Sequence, residues 1–88
     1  MGKVIYKYEL EISNDQEVHL PKGYEILTVQ EQKGIACMWV LHDDTTTRDD
    51  MTVITIYGTG HKVPDNPGTY VGTFQIHNGQ LVFHVFGS

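Results

Sequence analysis

The segment "TYVGTFQIHNGQLVFHVF" (69–86) limits the fold of this chain more than any other stretch. Two runs rich in β-branched and aromatic residues flank Asn78-Gly79, a pair suited to the positive φ angles of a two-residue hairpin turn. With Asn78 and Gly79 as the loop, His77 faces Gln80 and Ile76 faces Leu81. The same register sets Phe74 across from Phe83, an aromatic cross-strand pair, and Thr73 across from His84.

The rest of the chain repeats this character. In "KVIYKYELEI" (3–12), Val4, Tyr6, Tyr8, Leu10 and Ile12 alternate with Lys3, Lys7, Glu9 and Glu11, the period of a strand with one buried face. "SND" supplies a turn, "QEVHL" a short strand ending at Pro21, and "YEILTVQEQ" a third strand closed by a turn at "EQKG". "IACMWVL" is apolar on both faces and predicts a central strand covered on two sides. The polar loop "HDDTTTRDD" separates it from "MTVITIY", rich in β-branched residues. No segment holds a helical period over ten residues. The expectation is an all-β fold, a compact antiparallel sandwich or small barrel of about seven short strands.

Eighty-eight residues leave room for one core, so residues 1–88 are read as a single β domain. A chain this short gains stability cheaply by pairing with itself, which makes a homo-oligomer the expected state. Six Lys and Arg against eleven Asp and Glu give a formal charge of -5. That argues against general nucleic-acid binding, which needs a basic footprint. No window approaches the ~18 apolar residues of a membrane helix, and the start resembles no signal peptide. The expected location is the cytoplasm, without membrane attachment. The lone Cys37 lies in an apolar run and reads as a buried core thiol.

Function is sought first in "YGTGHKVPDNPGTY" (57–70). Gly58 and Gly60 tolerate the positive φ of a backbone anion nest, and His61 and Lys62 add charge beside it. Yet no G-x-x-x-x-G-K-[ST], no G-x-G-x-x-G and no following helix are present to complete a phosphate loop. The same residues also suffice for a plain strand-to-strand connection stiffened by Pro64 and Pro67. Tyr57 and Tyr70 bracket this loop, and Tyr24 lies at another strand end, where a ring stays half exposed for stacking. Tyr6, Tyr8, Trp39 and Phe74 are expected in the core.

Catalysis finds little footing. The five histidines (19, 42, 61, 77 and 84) lack metal-ligand spacing, so no metal or other cofactor is expected. Ser13, Ser88 and Thr45–Thr47 lack an identifiable base, and the paired acids at 43–44 and 49–50 read as a solvated loop. No catalytic residue is assigned.

"YKYEL", "LPKGYEIL", "YGTGH", "TYVGTFQ" and "LVFHVF" occur in that order. Together they resemble a family of short, uncharacterised accessory proteins of phages and prophages. "GTGH" and "LVFHVF" are the most distinctive pieces, while "DDTTTRDD" matches no pattern. The resemblance transfers no catalytic residue. It implies an anti-defence role in the host cytoplasm: a non-enzymatic inhibitor that sequesters a nucleotide signal or docks on a defence protein. In the nucleotide version, the amides of Gly58, Thr59 and Gly60, with His61, Lys62 and Arg48, hold phosphates while Tyr57 or Tyr70 stacks on a base. A virion assembly protein is the alternative. A small nucleotide-acting enzyme using His61 or His84 is a third reading.

Overall fold

The computed structural model describes residues 2–12 and 15–88. Seven strands follow one another: β1 (Lys3–Leu10), β2 (Gln16–Leu20), β3 (Glu25–Gln32), β4 (Ile35–Asp43), β5 (Asp50–Gly58), β6 (Thr69–Ile76) and β7 (Leu81–Gly87). They form two antiparallel sheets, ordered β1-β4-β3 and β2-β5-β7-β6, with no helix among the described residues. The all-β expectation holds in this two-sheet form.

The β6–β7 hairpin takes the register read from its sequence, with Ile76 opposite Leu81, Phe74 opposite Phe83 and Thr73 opposite His84. The Phe74 and Phe83 rings stack at 5.6 Å. Asn78 and Gly79 adopt φ of 56° and 85°, which an asparagine tolerates and a glycine takes freely. His77 shares this left-handed turn at φ 54°, and its carbonyl accepts a 3.1 Å bond from the Gln80 N–H.

Strand β1 stops at Leu10, short of Ile12. The Gln16 carboxamide brackets the Glu11 peptide groups there: Oε1 accepts from the Glu11 N–H at 3.0 Å and Nε2 donates to its carbonyl at 2.7 Å. Ser13 and Asn14 of the expected turn lie outside the described residues.

Every strand supplies the core: Leu10, Leu20, Val29, Met38, Val40, Ile54, Ile56, Phe74 and Val85 are buried in one cluster. Strands β3 and β6, the inner edges of the two sheets, run side by side without a shared ladder. The molecule is a flat plate of 43 × 30 × 15 Å.

Two expectations about β4 and β1 need correction. The second face of β4 is apolar and, among the described residues, no further sheet covers it, although Cys37 within it is buried. Trp39 and Leu41 are half-buried there, while Ile5, Leu27 and Ile35 beside them are exposed. Alternation explains this, because Ala36, Met38 and Val40 turn to the core and the intervening residues turn out. Tyr6, expected inside, is 43% exposed because β1 is a sheet edge.

The buried polar residues among those described are His42, Thr52 and Thr55, and His42 lies fully buried between the rings of Tyr6 and Tyr8 at 5.2 and 6.0 Å. Its Nδ1 lies 2.8 Å from the Asp43 carbonyl and its Nε2 lies 2.8 Å from the Tyr8 hydroxyl. A carbonyl only accepts, so Nδ1 carries the proton, and a neutral ring then accepts from the Tyr8 O–H at Nε2. Both ring nitrogens are satisfied, as burial requires.

Candidate functional site

The outward face of the four-stranded sheet gathers the most side chains capable of recognition. Strand pairing sets Tyr57 opposite His84, His84 opposite Thr73, and Phe86 opposite Tyr70. Residues paired in an antiparallel ladder share a face, so these form one strip across β5, β7 and β6. Both tyrosine rings meet Phe86 edge-on, Tyr57 at 5.8 Å and Tyr70 at 5.6 Å, an arrangement favoured by the ring quadrupoles. Tyr70 remains 56% exposed.

A bulge puts Tyr70 and Thr73 together. Tyr70 pairs with Phe86 and Gly72 with Val85, which leaves Val71 as an extra residue. That one insertion shifts the alternation, so residues three apart point to the same side. The Tyr70 hydroxyl therefore reaches Thr73 Oγ1 at 2.6 Å.

From Thr73 the bonding continues through the imidazole. Thr73 Oγ1 lies 3.1 Å from His84 Nδ1, and Thr59 Oγ1 lies 2.7 Å from His84 Nε2. Thr59 also donates to the Val82 carbonyl at 3.3 Å. With that terminus fixed, Nε2–H donates to Thr59; in the neutral ring Nδ1 then accepts from Thr73, and Thr73 accepts from Tyr70. Both nitrogens of His84 are engaged inside the chain. What faces outward is the Tyr70 hydroxyl's remaining acceptor capacity beside three aromatic rings. The strip can stack and hydrogen-bond; the bonded imidazole braces it.

The residues singled out from the sequence divide among four places. Tyr57, Thr59 and Tyr70 join this strip. Gly58 and His61 fall on the opposite side of the β5 end, because consecutive strand residues alternate. There the His61 ring closes over Gly58, its Nδ1 2.9 Å from where a Cβ would sit. A cleft of about 300 Å3 lies beside them, lined by Gln80, Leu81 and Phe83. Gly60 and Lys62 are exposed in the connection.

Arg48 stands apart. It precedes the other end of β5, which is roughly 26 Å long at ~3.3 Å per residue, and its guanidinium donates to the Thr45 carbonyl at 2.8 Å. Nor are all the nest amides open. The Thr59 N–H donates to the Val82 carbonyl and the His61 N–H to the Gly58 carbonyl, each at 3.1 Å. The loop is a turn that satisfies its own backbone first.

Sequence reasoning passed over Thr73, His84 and Phe86 as members of one site. The Thr73–His84 pairing was legible from the hairpin register. Gly72, a glycine inside a strand pattern, was the signal for the bulge that brings Tyr70 to Thr73.

A second cleft, of about 350 Å3, opens where the sheets meet, between Tyr24 and Ile26 of the β3 side and Thr69, Tyr70 and Val71 of β6. Tyr70 thus borders both the aromatic strip and this cleft. Among the described residues, no three His, Cys, Asp or Glu side chains converge as metal ligands.

No curated protein and no solved structure matches the chain. A family model matches residues 1–88, and the chain belongs to that family, described as domain of unknown function DUF7352.

Proposed function

We propose that this protein is a non-enzymatic accessory protein of phage or prophage origin that blocks a host defence by docking on one of its proteins. The observation that carries this reading is the Tyr57–Phe86–Tyr70 strip. It is a surface of edge-on aromatic rings with a hydroxyl at its exposed end, and Tyr side chains that become buried on binding are among those that dominate the energy of protein interfaces. The phage setting rests on the motif resemblance. Binding rather than turnover is favoured because both nitrogens of His84, the strip's imidazole, are bonded to neighbours.

Protein docking is favoured over nucleotide capture by where the cations lie. Arg48 bonds to its own loop at the far end of β5, and one of the three loop amides that would hold phosphate, that of Thr59, donates internally. The second reading, capture of a nucleotide signal, is supported by the cleft beside Tyr70, whose volume of about 350 Å3 falls in the small-ligand range.

The test uses bacterial hosts that each carry one defence system and express the protein before phage infection. Plaquing restored by wild type and lost in Tyr57→Ala/Tyr70→Ala, with the fold intact by circular dichroism, supports the proposal. No restoration against any system overturns it. Native mass spectrometry with a panel of signalling nucleotides separates the mechanisms, since a bound, unaltered nucleotide moves the assignment to the second reading. Recovery of the protein in purified virions would instead favour an assembly role.

A further inference from the structure

Among the described residues, strand β1 is an outer edge of its sheet, hydrogen-bonded on its β4 side only. The Asp44 N–H donates to the Gly2 carbonyl at 3.2 Å, and this bond fixes the phase of the ladder. In an antiparallel pair, bonded and non-bonded residues alternate. The even-numbered residues from Gly2 onward therefore turn their peptide groups to β4, and Lys3, Ile5, Lys7 and Glu9 turn theirs outward.

Glu11 would be next in the outward series, but the Gln16 carboxamide already occupies its N–H and C=O. The open edge thus runs from Lys3 to Glu9, and Tyr6 is its midpoint. Its pairing with β4 is unbroken by any bulge, and it contains no proline. Long edges of this kind are usually interrupted by one or the other. The charges it does carry are of both signs, lysine near one end and glutamate at the other.

We propose that β1 pairs antiparallel with β1 of a second copy, about a two-fold axis at Tyr6. This register brings Lys3 opposite Glu9 of the partner subunit, and symmetry repeats the pair. All four open residues then exchange hydrogen bonds, and Tyr6 meets Tyr6 of the partner subunit in a non-bonded position. The two three-stranded sheets join into one of six strands.

Symmetric registers centred on the residues from Ile5 to Tyr8, Tyr6 apart, fail on the same residues, and an axis at Val4 uses only Lys3 and Ile5 of the four. An axis at Ile5 sets Lys3 against Lys7, and an axis at Lys7 sets two lysines face to face. An axis at Tyr8 needs the Glu11 peptide groups, which are taken. Axes between residues bring outward groups against inward ones, so no ladder forms.

Sedimentation equilibrium of the whole protein and its variants tests this. Wild type is expected at twice the 10.0 kDa chain mass. Ile5→Pro deletes an outward N–H that β4 does not use, and is expected to be monomeric with an unchanged circular-dichroism spectrum. Lys3→Glu places like charges opposite each other and raises the dimer dissociation constant by about tenfold, and Lys3→Glu/Glu9→Lys restores it. Tyr6→Cys is expected to cross-link across the axis on mild oxidation, since non-bonded pairs lie within disulfide reach. A wild-type monomer at hundreds of micromolar overturns the proposal. So does a dimer that ignores the Lys3–Glu9 exchange, a result that decides the matter even if Ile5→Pro fails to fold.

Discussion

Gly72 of β6 lies directly against Val29 of β3: a Cβ at Gly72 would sit 2.8 Å from Val29 Cγ2 and 3.7 Å from the Val29 backbone nitrogen. The two inner sheet edges approach this closely because one of them has no side chain at the crossing. Val29 itself is 1% exposed, so its γ-methyl has no free space to move into. Gly72→Ala is expected to destabilise the fold by about 1–3 kcal/mol through overpacking. Val29→Ala in the same chain relieves the clash, so the double variant should cost less than the sum of the two single changes. Urea unfolding of the four proteins measures both effects.

The buried His42 carries a second prediction. Tyr8→Phe keeps the ring but removes the hydroxyl that bonds Nε2 at 2.8 Å. A fully buried nitrogen is then left without a partner, at an expected cost of about 1–3 kcal/mol. Tyr6→Phe changes a half-exposed residue whose ring, not its hydroxyl, touches His42, and is expected to shift stability by less than about 0.5 kcal/mol. A Tyr8→Phe loss as small as that of Tyr6→Phe would mean that ring packing, and not the hydrogen bond, holds the histidine.

In the aromatic strip, exposure separates binding from stability. Tyr70→Ala removes a ring that is 56% exposed, so thermal unfolding should move little, by about 1 kcal/mol or less. Phe86→Ala removes the ring against which both tyrosines rest, and is expected to cost about 2–3 kcal/mol. If Tyr70→Ala proved as destabilising as Phe86→Ala, Tyr70 would be a structural residue and its place in the docking surface would fall.

Local periodicity carried most of the fold. The β6–β7 register could be read to the residue because Asn78-Gly79 fixes where the turn sits, and a one-residue slip would have inverted every side chain. Strand β4 shows the limit of that reasoning. "IACMWVL" is apolar on both faces, yet pattern alone does not say whether a second layer exists to cover Trp39. The same limit applied to the site. Tyr57 and Tyr70 could be noticed as loop neighbours, but their meeting at Phe86 depends on cross-strand order and on the Val71 bulge. Neither is encoded locally. Arg48 and Lys62 attracted notice as cations, and only the length of β5 separates Arg48 from the loop.

Cys37 supports a last prediction, on pH. The residue is 1% exposed, and burial pushes its thiol above the ordinary value of 9.0, with Glu9 and Glu31 adding to the rise and Lys7 opposing it. A thiol whose folded-state pKa lies above its unfolded one favours folding while protonated. That contribution is complete below the ordinary thiol range and is lost as pH climbs through the raised folded value. Wild type should therefore lose urea stability between neutral pH and pH ~10 more steeply than Cys37→Ala, in which the tyrosines and lysines still titrate but the thiol does not. Alkylation gives an independent reading. Iodoacetamide should modify Cys37 much more slowly in the folded protein than in urea at the same pH, because both access and thiolate fraction are lower. Equal rates in the two states would show that the outer face of β4 opens readily, and would place Cys37 in a strand less firmly held than its burial implies.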